Sequence, residues 1–391
     1  MRFETILTFK KEPQPEQPVL ESSLAEKEST DISKENLKEI WLKDTVVKHG
    51  IDLNTNLINY GLKIYSNDNK VQTDLATIDY FTDLHLFFDK LVRDAMVFGV
   101  AFVEFLYNKD KTKIVGLWNM DPVRTDFTRD QQGNVLVDSV GNPLGYVEEI
   151  GVMRDVAGAT TDASGRRVKK YSPDKVTHFT FEELPGTIEG VSILHAVYNL
   201  VKDKWEAEEG VKESIKRFGV PIFVVTVGDE RHNVSRESME KIKEKLVGIT
   251  KKSVIITPNW QKIELLQPKN ISDVAKNLDY YLNQIPIALS IPRALILETG
   301  ESVNRATLRQ QIRLYISKLE KWREKLKKFA IRDLFRTIAE VNGWDQPPEI
   351  TFKPITLEDV ESFAKRVATY VKSEIITPDE VKEVVKRMED L

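Results

Sequence analysis

Apolar positions along the chain fall into two long helical stripes with a small mixed module between them. From residue 192 to Phe218 the pattern is helical, and Gly219 with Pro221 just beyond supplies the stop. At 1.5 Å per residue this predicts a rod of roughly 40 Å, against a usual helix of about 11–12 residues. The module that follows reads as a β-branched strand at 223–227 and a helix at 236–247 capped by Ser235. Further strands are expected at 253–257 and 262–266. A helix at 270–289 leads back out, followed by a polar loop that ends at Asn304. Two helices with a small module between them build a projection, not a catalytic pocket. The module holds too few apolar residues to be robust alone, so it is expected to pack against copies of itself.

The second stripe spans 304–342. Leu308, Ile312, Tyr315, Leu319, Trp322, Leu326 and Phe329 are separated by alternating steps of four and three, a heptad-like seam. This seam is expected to pack against neighbouring subunits. Gly343 and Pro347-Pro348 end the helix. Upstream, residues 81–96 carry one apolar helix face, and Gly99 stops it. Strands at 100–107 and 114–118 are expected to form a hairpin, followed by short strands at 135–137 and 145–147 with turns at Gly133-Asn134 and Gly141-Asn142. Residues 155–169 read as an exposed loop and 175–180 as a strand. Past 355, two short helices follow, the second opened by Thr377-Pro-Asp-Glu380. The fold class expected is α+β.

Composition narrows the reading. The 391 residues suggest two or three domains, with 41% hydrophobic and 30% charged positions. No stretch approaches the ~20 apolar residues needed to span a membrane, and no secretory signal opens the chain. Residues 1–36, punctuated by Pro13, Pro15 and Pro18 and rich in Glu, Ser and Lys, read as a flexible arm. With no cysteine, disulfides, thiolate zinc sites and cysteine nucleophiles are all excluded. Abundant Lys and Glu without Cys is a composition seen in thermophiles. The net charge of −4 argues against a protein that grips DNA, because phosphate neutralisation supplies most of such affinity.

No constellation for chemistry emerges. There is no phosphate loop, dinucleotide fingerprint, zinc-protease helix or serine elbow. The five histidines, His49, His85, His178, His195 and His232, are scattered and read as structural. Glu182-Glu183 and Glu206, Glu208 and Glu209 read as solvated faces. No metal or cofactor is expected. Between 304 and 336 there are eleven Lys or Arg against three acidic residues. That face is either solvated or, at Arg305 and Arg309, turned toward nucleic acid beside the small polar loop 298–304.

Several local patterns, in this order, resemble the portal proteins of tailed viruses and proviruses. Gly99-Val-Ala-Phe-Val-Glu104 resembles a Gly-x-Ala-Tyr-x-Glu strand of that family, and Leu117-Trp-Asn-Met-Asp-Pro122 its hydrophobic–Asp–Pro segment. Tyr171-Ser-Pro-Asp-Lys-Val-Thr-His-Phe179 is similar to Pro-Asp-x-Val-x-His-Phe. Gly190-Val-Ser-Ile-Leu194 is similar to Gly-x-Ser-Pro-Leu, with Ile193 in place of proline. Arg217-Phe-Gly-Val-Pro221 fits the end of a stem helix, and Ile291-Pro-Arg-Ala-Leu295 resembles Val-Pro-Pro-x-Leu.

The resemblance implies a portal fold. Its parts would be an α/β wing (37–189 with 305–345), stem helices (190–218 and 270–289), an α/β clip (219–269), a tunnel-loop region (290–304) and helical crown (355–391). It implies a ring, commonly of twelve subunits, at one capsid vertex of a virion assembled in the host cytoplasm. Double-stranded DNA would pass through the ring during packaging and ejection. The major capsid protein, the terminase large subunit and a head–tail adaptor are the implied partners, and no enzymatic activity is implied. Thr299, Glu301, Ser302, Asn304, Arg305 and Arg309 would line the DNA channel; Arg236, Lys241, Lys243 and Lys245 would meet the terminase or adaptor. The competing readings are a non-portal scaffold protein that oligomerises through the 304–342 helix, and a DNA-processing enzyme.

Overall fold

A computed structural model of the chain describes residues 32–150, 159–161, 166–218, 223–227, 235–249, 254–258, 271–296 and 305–355. The chain divides into two units at Lys34, and the described elements belong to the second. It opens with α1 (Lys34–Lys43) and α2 (Thr45–Ile58), then β1 (Lys63–Tyr65), α3 (Asn69–Thr82) and α4 (Leu84–Phe98). The expected helix at 81–96 is broken near its start. Asp83, at φ 54°, ends α3 in the left-handed region while its carboxylate accepts from Leu86 N at 3.1 Å to cap α4. The chain thus turns a corner, and Tyr80 and Phe81 are left 85% and 64% exposed. The predicted apolar face of α4, from Phe87 to Met96, is buried.

Two antiparallel sheets follow. β2 (Val100–Tyr107) and β3 (Ile114–Met120) form the expected hairpin. After β4 (Thr125–Phe127), β5 (Tyr146–Glu149), β6 (Ala159–Thr161) and β7 (Arg167–Tyr171), strand β8 (Val176–Thr180) joins the hairpin in the order β3-β2-β8. The second sheet runs β4-β5-β7-β6. Phe102, Phe127, Tyr146, Tyr171 and Val176 form the core between the sheets. Two expectations change here. The segment 155–169 was expected as a loop, but its described residues include β6 and the start of β7, which pair with each other. At 135–137 only isolated bridges form, and the strand expected at 145–147 begins at Tyr146. The two glycine turns stand, with Gly133 at φ 90° and Gly141 at φ 96°. Each closes an Asp-x-x-Gly-Asn repeat in which Asp130 or Asp138 accepts from the Asn backbone at 2.8 Å.

The first stripe enters through a tight 3-10 turn (Ile193–Val197) and continues as α5 (Tyr198–Phe218). Within the module, β9 (Phe223–Val227) and β10 (Val254–Pro258) pair in parallel. α6 (Arg236–Ile249) connects them in sequence and packs on β10, so the described part is a small βαβ unit. The strand expected at 262–266 lies outside the described residues. α7 (Ile271–Ala288) packs against α5.

The second stripe is α8 (Arg305–Phe329), a π-helical turn (Ala330–Phe335) and α9 (Arg336–Asn342), ended by Gly343 at φ 68°. β11 (Glu349–Thr351) then pairs with β1. The seam is buried from Tyr315 to Phe329, but its partners are not those of a neighbouring subunit. Tyr315, Leu319, Trp322, Leu326 and Phe329 are buried within their own subunit, with Trp322 against Phe181 and Phe329 against Phe179. After Phe329 the buried positions become Ala330, Leu334, Phe335, Ile338, Ala339 and Asn342. Continuing the alternation of four and three would have placed Asp333, Arg336 and Glu340 inside. The π turn absorbs one extra residue and slips the buried stripe along by that residue.

Candidate channel and docking segments

The long helices are anchored on α2 at both of its ends. Asp44 caps the N-terminus, its Oδ1 accepting from Val46 N and Val47 N at 3.0 Å each. Its Oδ2 accepts from Lys204 Nζ of α5 at 2.7 Å, with both residues buried. At the C-terminal end, the Arg323 guanidinium of α8 donates to the carbonyls of Leu57 (2.6 Å), Ile58 (3.0 Å) and Tyr60 (3.1 Å), and to Lys353 O (2.7 Å). A carboxylate at the positive end of a helix and a guanidinium at the negative end both oppose the macrodipole. Between them, Tyr315 Oη donates to Asn54 Oδ1 at 2.6 Å. The chain order gave no sign of these three links. Asp44 before the apolar run Thr45-Val-Val was a readable cap, but Lys204, Arg323 and Asn54 sit on stripes that pass for solvated faces.

Gly99 and Gly190 face each other across the junction where α4 turns into β2 and the first stripe begins. A Cβ on Gly190 would lie 1.9 Å from the Gly99 carbonyl oxygen, and one on Gly99 would lie 2.4 Å from that of Gly190. Beside them, Ser192 Oγ donates to Val97 O at 2.6 Å and accepts from Leu194 N at 3.0 Å. The two glycine motifs are therefore two halves of one backbone crossing, which fixes where α5 leaves the sheet.

From this frame α8 reaches back toward residues 297–304, which lie outside the described structure together with Thr299, Glu301, Ser302 and Asn304. Arg305 is the first residue of α8, and its side chain is also outside the described residues. Arg309, one turn on, is exposed. From Ala306 to Leu314 no side chain is buried, and Leu314 is 66% exposed; the first buried residue of α8 is Tyr315. Leu308 and Ile312 in these leading turns are half-buried, and the rest of their described side chains are exposed.

In the βαβ unit, Arg236 starts α6 and is exposed. Lys241, also exposed, pairs with Glu237 at 2.9 Å. An ion pair this open to water contributes little and leaves the lysine available. The side chains of Lys243 and Lys245 lie outside the described residues, so the structure assembles neither proposed group in full.

His178 stands in the middle of β8, edge-on to Phe127, with its Nδ1 2.9 Å from Tyr146 Oη. Burial pushes its pKa down to about 4 and keeps the ring neutral. Among the described residues no three His, Asp or Glu side chains are placed to share a metal ion. No described helix is long and apolar enough to cross a membrane.

This arrangement of helices and sheets is shared with chains in the particles of gene transfer agents. The chain is similar to one in the neck of an empty gene transfer agent particle computed with C6 symmetry, at 14% identity and TM-score 0.56, covering 88% of this chain and 90% of that one. It is similar also to a chain of the native gene transfer agent virion, at 13% and 0.53 over 87% and 89%. A third similar chain comes from the native neck computed with C12 symmetry, at 13% and 0.51 over 88% and 90%. No curated protein sequence matches. The family model described as the portal protein of Mu bacteriophage matches residues 42–386. The chain belongs to that family: it is a portal protein.

Proposed function

We propose that this portal protein works as one subunit of a closed ring of twelve copies, through which double-stranded DNA enters and leaves a capsid. The observation that carries the channel reading is α8. Its first turns expose Arg309 and fully bury no described side chain before Tyr315, and they follow directly on the small polar loop. A helix end whose side chains are at most half-buried keeps a face for a neighbouring subunit and the duplex passing by. The net charge of −4 per copy fits a conduit. Each phosphate neutralised adds salt-sensitive affinity, so an acidic ring with sparse cations guides DNA without holding it. The neck structures with related folds were computed with C6 and C12 symmetry, which supports a ring of this order.

In the same reading, α6 and its strands form the face that docks the terminase motor and later the head–tail adaptor, with Arg236, Lys241, Lys243 and Lys245 as contacts. Electron microscopy of purified full-length protein tests the assembly: closed rings with a central hole are expected, and filaments, bundles or monomers would overturn it. Arg305→Glu with Arg309→Glu tests the channel. Rings should still form while DNA packaging falls, and packaging at the wild-type level would remove these residues from the DNA path.

A further inference from the structure

The two edges of the sheet β3-β2-β8 are finished differently. Along β3 the outer edge is covered. Thr82 Oγ1 of α3 accepts from Leu117 N at 2.8 Å, while the Asn342 side chain accepts from Ile114 N at 2.8 Å and donates to Ile114 O at 3.0 Å. This is how native sheets protect an end strand. On β8 the bond from Phe105 N to Lys175 O sets the phase of the ladder. In that phase Thr177 and Phe179 bond to β2, and the backbone groups of Val176, His178 and Thr180 point away from it. Among the described residues no strand pairs with that side. It opens instead into a groove of about 960 Å³. One wall holds Pro143, Leu144 (54% exposed) and Tyr146; the other is the end of α8 and the π turn, with Lys328 and Arg332.

We infer that residues 3–9 of a second copy occupy this groove as a fourth strand on β8. The inference rests on the ring reading, which sets a neighbouring groove at a fixed distance. The segment Phe-Glu-Thr-Ile-Leu-Thr-Phe is aromatic and β-branched, with no Gly or Pro. As a strand it would put Phe3, Thr5, Leu7 and Phe9 on one face and Glu4, Ile6 and Thr8 on the other. The first face meets the wall where Leu144 is exposed, over the buried Pro143 and Tyr146. Glu4 falls on the wall that carries Lys328; Arg332 there is paired with Asp333 at 2.8 Å, and Glu183 and Glu340 also line the groove. Seven residues at about 3.3 Å each cover the roughly 17 Å of β8. Residues 10–31 form the tether, and at about 3.3 Å per residue they reach at most roughly 70 Å, enough to pass to a neighbouring subunit. Pro13, Pro15 and Pro18 within it cannot donate to a ladder, which ends the strand where the tether begins.

Because the chain has no cysteine, paired substitutions report the contact directly. Thr177 shares the face of Phe179, toward α8, so Glu4→Cys, Ile6→Cys and Thr8→Cys, each combined with Thr177→Cys, sample the registers that keep this face. At least one pair should give a ladder of disulfide-linked oligomers on a non-reducing gel, absent from every single-cysteine variant. Rings seen by microscopy without any ladder, or disulfides confined to single chains, overturn the strand and leave the ring standing. Failure of the wild-type protein to form rings overturns both. Deleting residues 2–9 should speed amide exchange at Val176, His178 and Thr180 by about tenfold or more and leave β3 unchanged. Unchanged exchange at β8 counts against the inference.

Discussion

Lys204 Nζ sits 2.7 Å from Asp44 Oδ2, with the lysine side chain 7% exposed and the aspartate side chain fully buried. This pair joins α5 to the start of α2. Lys204 has a second partner, Glu208 at 3.3 Å, and Asp44 keeps its two backbone donors. Lys204→Met leaves a buried carboxylate without its cation and should cost roughly 3 kcal/mol in urea denaturation. Asp44→Asn should cost less, because Lys204 retains Glu208. The double variant should recover part of the Lys204→Met loss, and strict additivity would show that the pair is not coupled.

Arg323 is a test of shape against charge. Its planar fork reaches three carbonyls at the end of α2 and one at Lys353. Lys keeps the charge but cannot reach them together. Arg323→Lys should destabilise by roughly 2 kcal/mol and Arg323→Met by more, read from the same denaturation curves. Equal stability of Arg323→Lys and wild type would reduce the contact to a simple charge.

The glycines give a matched contrast. Gly190→Ala places a methyl carbon 1.9 Å from a backbone oxygen, so the crossing must open, and a loss of about 4 kcal/mol or failure to fold is expected. At Gly133, φ is 90° and nothing lies within 4 Å of the added Cβ. Gly133→Ala should cost only about 1 kcal/mol, the conformational strain alone. Similar losses at the two sites would mean that the close approach is not what Gly190 serves.

His178 sets a pH dependence. Its folded pKa of about 4 lies below the ordinary 6.5. The unfolded chain therefore takes up a proton as pH falls through 6.5, which the folded chain refuses until about pH 4. Stability from this group is present above pH 6.5 and is lost on going down to pH 4, by roughly 3 kcal/mol. Asp94 acts with the opposite sign. Burial raises its carboxyl from 3.8 to about 7, so its contribution is largest at low pH and is lost as pH rises through 7. The two partly mask each other in the wild type. His178→Gln isolates the first: between pH 7 and pH 4 it should lose less stability than wild type. Parallel losses would show that burial of this ring is not the cause.

The elements and their order could be read from the chain, because amphipathic period and glycine stops act locally. The α4 face, the β2–β3 hairpin, the Gly99 and Gly343 stops and the seam from Tyr315 to Phe329 all appeared as expected. What the seam packs against could not be read. A stripe of Leu, Trp and Phe looks the same whether its partner is Phe179 and Phe181 of one subunit or a neighbouring helix. The sheet β4-β5-β7-β6 was also hidden, since its short strands carry Thr, Arg and Lys and depend on pairing for their stability. Of the candidate site residues, Arg309 and Lys241 are exposed on α8 and α6. The polar anchors Lys204, Arg323 and Asn342 went unread because each is defined by a partner at least 160 positions away.

The wide turn at Ala330–Phe335 holds one residue more than an ordinary helix of the same span would need. Upstream, Phe329 is matched to Phe179; downstream, Asn342 is matched to Ile114. A chain shortened by a single position between them can settle into regular geometry and still present both faces as before. A one-codon deletion here would convert the wide turn into ordinary α-helix instead of rotating one face past the other.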